Sequence, residues 1–198
     1  DEIRERRYER QLREGVIPEG TDLPPRNDDV RPWAELSEPE QRLAARFQEV
    51  YAGFLEHTDA QIGRLVDYLD ELGRLDDTII VLLGDNGASQ EGGEHGVLNT
   101  TEYENGHSPT LEENLARIEE IDGRTAHVNY PLGWAQAANT PLKRYKQNTH
   151  AGGIRTSMIM SLPDQVDAGG LRTGFQHVTD VVPTVLDLLE LEPPRVHL

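Results

Sequence analysis

The sequence has 198 residues, enough for one domain with a sizeable core, and 36% of them are hydrophobic, with no apolar run approaching the roughly 18 residues a membrane span needs. A net charge of −17 argues against a nucleic-acid partner, because a binder of the phosphate backbone needs a basic face to displace counterions. The absence of cysteine excludes disulfides, thiolate metal sites and a cysteine nucleophile within these residues, and it leaves the cellular compartment open.

Residues 1–13 are charged throughout and read as a helix closed by Gly15; with neither an initiator methionine nor the apolar core of a secretory signal, the sequence is expected to be a piece of something longer. The stretch PEGTDLPPRNDDVRP, residues 18–32, is too rich in proline and turn formers for anything but an extended connection. Ser37-Glu-Pro-Glu40 is a capping box with proline in the first turn, and it opens a long amphipathic helix. Leu43, Phe47, Val50, Tyr51, Phe54, Leu55, Ile62, Leu65, Val66, Leu69 and Leu72 recur at spacings of three and four, which gives one apolar stripe, and Gly73 stands where a C-terminal cap belongs.

After a short link, β-branched residues crowd positions 78–81 and the run stays apolar to Leu83. Such a run predicts a strand buried on both faces, central to a parallel or mixed sheet flanked by helices. Helix, link and strand then make half of a βαβ unit. From residue 84 to 139 regularity mostly disappears, apart from a short helix predicted over 109–121, and a loop region of that length inside a compact domain is usually functional or disordered. Residues 158–162 read as a second short buried strand ended by Pro163. Residues 180–190 read as a helix with Pro183 in its first turn, stopped by Pro193-Pro194.

Two places can carry chemistry. In a doubly wound sheet ligands sit at the carboxyl ends of strands, where Asp85 and Asn86 follow the apolar run between Gly84 and Gly87. A carboxylate and an amide carbonyl are hard oxygen donors suited to calcium or magnesium, and the chain has no HxxxH or HExxH pair for zinc. The bland alternative is an Asn-Gly turn beside a solvated aspartate. The second place is the local basic cluster Lys143, Arg144, Lys146 and Arg155, in which Lys143 and Lys146 are the only lysines against 17 arginines. In so acidic a chain it is a candidate anion site, because a lysine ahead of the Gly152-Gly153 turn can present a compact cation to an oxyanion; a solvated surface turn is the alternative.

Taken in order, TIIVLLGDNGASQEGG, YPLGWAQAANTPLKRYKQNTHAGGIRTSMIMSLP and HVTDVVPTVLDLL resemble the sulfatases of the alkaline phosphatase superfamily, the arylsulfatases in particular. EVYAGFLEHTDAQIGRLVDYLDELGRLDDT resembles the helix that precedes their metal-binding strand, so the resemblance covers nearly the whole chain. It implies an α/β fold, part of an alkaline-phosphatase-like α/β/α sandwich with a mostly parallel sheet. Residues 1–198 would be a fragment of one catalytic domain: a charged segment and connection (1–36), the long helix (37–73), central strand and metal loop (74–87), active-site loop region (88–156), and strand with C-terminal helix (157–198).

The resemblance further implies that Asp85 and Asn86 coordinate a divalent ion, usually Ca2+ with Mg2+ as the other candidate. Lys146 would contact the sulfate group, with Lys143 as its rival, and His95 and His150 would line the pocket. Where the family usually carries an acidic residue before the Gly-Gly pair, this chain has Ala151. The family's nucleophile is a formylglycine made in a Cys/Ser-x-Pro-x-Arg motif. A near match here, Ser37-Glu-Pro-Glu-Gln41, has glutamine at the arginine position and is already explained as a helix cap. The chain is therefore expected to be the later part of a domain that hydrolyses a small-molecule sulfate ester, with its nucleophile upstream and no activity alone. Alternatives are a phosphoester or phosphonate hydrolase of the same superfamily, and a non-catalytic metal-binding or interaction module. Lacking half its sheet, such a piece would expose strand edges and apolar surface, and self-association is expected.

Overall fold

A computed structural model describes residues 1–162 and 169–193. Helix α1 spans Glu2–Arg13, and after an extended connection and a 3₁₀ turn at Trp33–Glu35 the chain enters α2, Glu38–Glu71. The capping box forms: the Glu40 carboxylate accepts from the Ser37 N–H and from the Ser37 hydroxyl, each at 2.7 Å, and Arg31 donates to the same carboxylate. The other end of α2 closes on Gly73 at φ +62°, whose N–H reaches Asp70 O at 2.8 Å while the Arg74 N–H reaches Leu69 O at 2.9 Å. Those two bonds satisfy carbonyls that the helix leaves over, and the left-handed residue between them favours glycine.

Strand β1 is Ile80–Leu83, followed by α3 (Thr100–Glu104), α4 (Leu111–Ala116), α5 (Leu132–Ala138), α6 (Ala151–Ile154), β2 (Met158–Ser161) and α7 (Val181–Leu188). Pro163 and Pro194, expected to stop the last strand and the last helix, lie outside the described residues. Here the structure corrects the sequence reading. β1 pairs with β2 antiparallel, Ile80 opposite Ser161 and Leu83 opposite Met158, and no parallel sheet occurs among the described residues. Neither strand is buried on both faces, since Leu82 is 44% and Ile159 62% exposed. An apolar run states that its side chains avoid water; it does not state which element covers them, and no helix among the described residues packs extensively on this pair.

The core lies elsewhere. Leu43 and Phe47 from the first turns of α2 meet Leu98, Ile118, Ile121, Tyr130, Ala135 and Tyr145, so residues 84–139, where regularity mostly disappears from the sequence, supply five of the eight residues in the buried cluster. Tyr51 stands edge-on to Tyr130 at 4.8 Å, and Trp134 on α5 donates its indole N–H to Ala44 O at 2.8 Å, which fastens α5 to α2. Arg7 of α1 donates to Ala137 O at 2.9 Å and Gln11 to Thr140 O at 2.9 Å, which holds α1 against the end of α5. The stripe on α2 is buried only at its start: Phe54 is 67% and Leu65 58% exposed. No helix among the described residues is long and apolar enough to cross a membrane.

The α2 cap carries a pH signature. The Ser37 hydroxyl first, then Arg31 and the Ser37 N–H, hold the Glu40 carboxyl down at about 2 from an ordinary value of 4.5. The folded state therefore favours the ionised form, so the cap's stabilisation is full above pH 4.5 and fades as pH falls toward 2. Glu40→Gln should cost about 1 kcal/mol at pH 7 and flatten the stability profile across that window; urea titrations at stepped pH values read both. An unchanged acid slope in the variant would contradict the assignment.

Candidate functional site

β1 ends at Leu83 and the backbone bends through Asp85, Asn86 and Gly87, as the flanking glycines allow. The Asp85 carboxylate is exposed and has no hydrogen bond or ion pair among the described residues. Asn86 turns its side-chain N–H2 onto Gly87 O at 2.7 Å, which leaves its amide oxygen without a donor among those residues. Two adjacent hard oxygens are thus uncommitted, and they fit a calcium- or magnesium-type ion as two of the roughly six to eight ligands it takes.

Past Asn86 the loop is tied down. The Gly87 N–H donates to Gly153 O at 3.0 Å, the Lys146 N–H donates to Ala88 O at 3.0 Å, and the Ala88 N–H donates to the Asn139 amide oxygen at 2.9 Å. Asn139, at the end of α5, sends its N–H2 to Arg144 O at 3.0 Å and Gly152 O at 2.7 Å. One side chain therefore joins the loop after β1 to the turn that carries Lys146. The approach is so close that a Cβ on Gly87 would lie 1.7 Å from Gly152 O, and one on Gly152 would lie 2.1 Å from Arg144 O. Neither position admits a side chain without moving backbone.

The turn at residues 143–148 is itself unusual. Arg144 and Gln147 have φ of 67° and 74°, left-handed values that cost a non-glycine residue about 1–2 kcal/mol each. Buried Tyr145 between them offsets this: its hydroxyl accepts from Asn27 at 2.8 Å and donates to Asp29 at 3.4 Å, while Arg144 reaches the other Asp29 oxygen at 3.3 Å. Burial pushes the Tyr145 phenol up to about 12, so it stays neutral at physiological pH.

Lys146 projects from this root to Glu91, 3.0 Å from Nζ to Oε2. Ser89 Oγ donates to the same oxygen at 2.9 Å, and Gln147 Nε2 donates to Oε1 at 3.3 Å. Burial raises the Glu91 carboxyl, but the bonds from Lys146, Ser89 and Gln147 outweigh it and hold the group below its ordinary value.

The other predicted residues stand apart. Lys143 and His150 have exposed side chains; their carbonyls shape the turn, accepting from the Gly152 and Gly153 N–H groups at 2.8 Å each. His95 lies with Glu94 and Glu40 in the one cluster of three potential metal-ligating side chains found among the described residues, and Asp85 belongs to no such cluster. Arg31 donates to both of those carboxylates, so a guanidinium already fills the negative centre. Sequence reasoning missed Asn139 and Glu91. No spacing rule links positions 51 or 55 residues apart, and an asparagine beside a Thr-Pro step looks like an ordinary helix end.

A family profile described as Sulfatase matches residues 6–191. An uncharacterized sulfatase of Schizosaccharomyces pombe is 33% identical over 197 residues, covering 98% of this chain and 34% of the relative. An arylsulfatase of Klebsiella aerogenes is 31% identical over 183 residues, 91% of this chain and 37% of the relative. A multifunctional alkaline phosphatase superfamily protein of Trinickia caryophylli is 28% identical over 164 residues, 82% and 22% respectively. The chain spans about a third of the length of the two curated sulfatases it matches.

Replacing Asn139 by alanine strands an N–H and two carbonyls in a half-buried junction, which should lower stability by about 1–3 kcal/mol. Gly87→Ala should cost at least as much, because backbone must move. Urea unfolding of both variants measures this, and losses under about 0.5 kcal/mol, the range of ordinary surface substitutions, would contradict the interlock.

Proposed function

The chain belongs to the sulfatase family, and we propose that it supplies a metal-binding loop and an anion-binding lysine to an enzyme that hydrolyses small-molecule sulfate esters, with arylsulfatase-like specificity. The observation that supports this most is the direct coupling of the loop bearing Asp85 and Asn86 to the turn bearing Lys146, through the Lys146 N–H on Ala88 O and the Gly87 N–H on Gly153 O. Two groups that must act on one sulfate are thereby rooted in one backbone unit.

Asp85 and Asn86 would hold a divalent ion, Ca2+ or Mg2+, through their free oxygens, and such an ion polarises a sulfate oxygen when bound. Further ligands would come from outside these residues. Lys146 offers ammonium donors where negative charge gathers on the sulfate as the ester bond breaks. Its backbone is anchored, so only the four-carbon side chain needs to find the anion. Lys143, His95 and His150 remain candidates for contacts to substrate.

The attacking oxygen is proposed to come from a formylglycine outside these 198 residues. The chain has no cysteine, and both of its Ser-x-Pro stretches, at Ser37 and Ser161, carry glutamine at the motif's arginine position; the Ser37 hydroxyl is also engaged with Glu40 in the α2 cap. A phosphoester hydrolase built on the same residues is the second reading, favoured by the likeness to the alkaline phosphatase superfamily protein of Trinickia caryophylli; paired aryl sulfate and aryl phosphate assays of the full-length protein decide between them.

Lys146→Ala and Asp85→Ala in the full-length protein should each lower kcat/KM for an aryl sulfate by about a hundredfold or more. Near-normal turnover in either variant would remove that residue from the site. The purified 198-residue chain should release no product above background, and turnover by it would put the nucleophile within these residues.

A further inference from the structure

We propose that Glu91 is the resident counter-anion of the Lys146 ammonium, which a substrate or product oxyanion must displace, so that Glu91 sets how tightly this site holds sulfate. The inference rests on the reading of Lys146 as the anion contact. Among the described residues Glu91 is the one hydrogen-bond partner of Lys146 Nζ, at 3.0 Å, and the two side chains are 26% and 35% exposed. A small anion can therefore reach Nζ from solvent, and on arrival it meets a carboxylate of like charge on the same ammonium.

Glu91 does not need Lys146 to stay in place. Its Oε2 keeps the Ser89 hydroxyl at 2.9 Å and its Oε1 keeps the Gln147 amide at 3.3 Å. Gln147 in turn accepts from Gln90 Nε2 at 3.3 Å on its own oxygen, which points its N–H2 at Glu91. The left-handed backbone of Gln147 serves the same contact, since it lets consecutive residues 146 and 147 both reach one carboxylate. When the ammonium leaves, two neutral donors still satisfy the acid. Lys146 has the complementary freedom, a fixed backbone bonded to Ala88 and a flexible stem. The lysine thus has two partners to choose between, and the carboxylate lowers the affinity of the second. The consequence for an enzyme that releases sulfate dianion is weaker product retention.

The two-lysine composition makes the test direct. Lysine-labelled chain gives only two ammonium signals, from Lys143 and Lys146, distinguishable by substitution. Inorganic sulfate is titrated at low ionic strength into the wild-type, Glu91→Gln, Glu91→Ala and Lys146→Ala chains, with the Lys143 signal and near-ultraviolet circular dichroism as checks on the fold. The Lys146 signal should respond in the wild type, and both Glu91 variants should bind sulfate about fivefold more tightly, a margin that shrinks with added salt. Equal or weaker affinity in the Glu91 variants, with Lys146 still responding, overturns the role of Glu91 and leaves Lys146 as an anion contact. No response of Lys146 in any chain, or sulfate affinity unaltered by Lys146→Ala, overturns the anion role of the lysine and this inference with it.

Discussion

The close backbone contact between Gly87 and Gly152–Gly153, bracketed by Asn139, is the constraint from which the rest of the site follows. Carbonyl and amide groups of two loops satisfy one another there, with no regular ladder and no room for a Cβ. Asn139 contributes one acceptor and two donors, which spans the gap that a strand would otherwise fill. Each buried backbone group left open would cost about 1–3 kcal/mol, so the junction forms as a unit or not at all. Lys146 and the Asp85–Asn86 pair inherit their relative placement from it.

That junction depends on the packing of α1, α2 and α5. The Ser37–Glu40 cap starts α2, and the first turns of α2 bury Leu43 and Phe47 and take the Trp134 indole on Ala44. Trp134 orients α5, α1 braces the end of α5 through Arg7 and Gln11, and α5 delivers Asn139. Tyr145 completes the circuit by pinning the lysine turn to Asn27 and Asp29. By contrast β1, β2, the second half of α2 and α7 keep large apolar side chains in water. The most regular elements are the least covered, and the packed part is the stretch with the least periodicity.

This inversion explains what the sequence made legible. A capping box, a stripe at helical spacing and a terminal glycine are local devices, and α2 could be read from them to within two residues at either end. The placement of Asp85 and Asn86 just after a strand, and of Lys146 ahead of a glycine pair, was legible for the same reason, because both depend on neighbours in sequence. Strand direction was not: Ile80–Leu83 carries the same side chains whether its partner runs parallel or antiparallel, and burial on both faces depends on covering elements that a four-residue run cannot specify. The roles of Asn139 and Glu91 rest on contacts made across 51 and 55 residues, and only the fold brings those partners together. The surroundings of His95 were likewise not legible: its place in a glycine-rich loop does not say that it sits beside Glu94 and Glu40, around the Arg31 guanidinium.

Native-state hydrogen exchange of the Gly87, Ala88 and Lys146 amides tests the central claim, that the loop after β1 and the lysine turn are one cooperative unit. All three N–H groups bond across the junction, so they should exchange with a common opening free energy and lose protection together in Asn139→Ala. A Lys146 amide that stays protected while those of Gly87 and Ala88 exchange freely would contradict it.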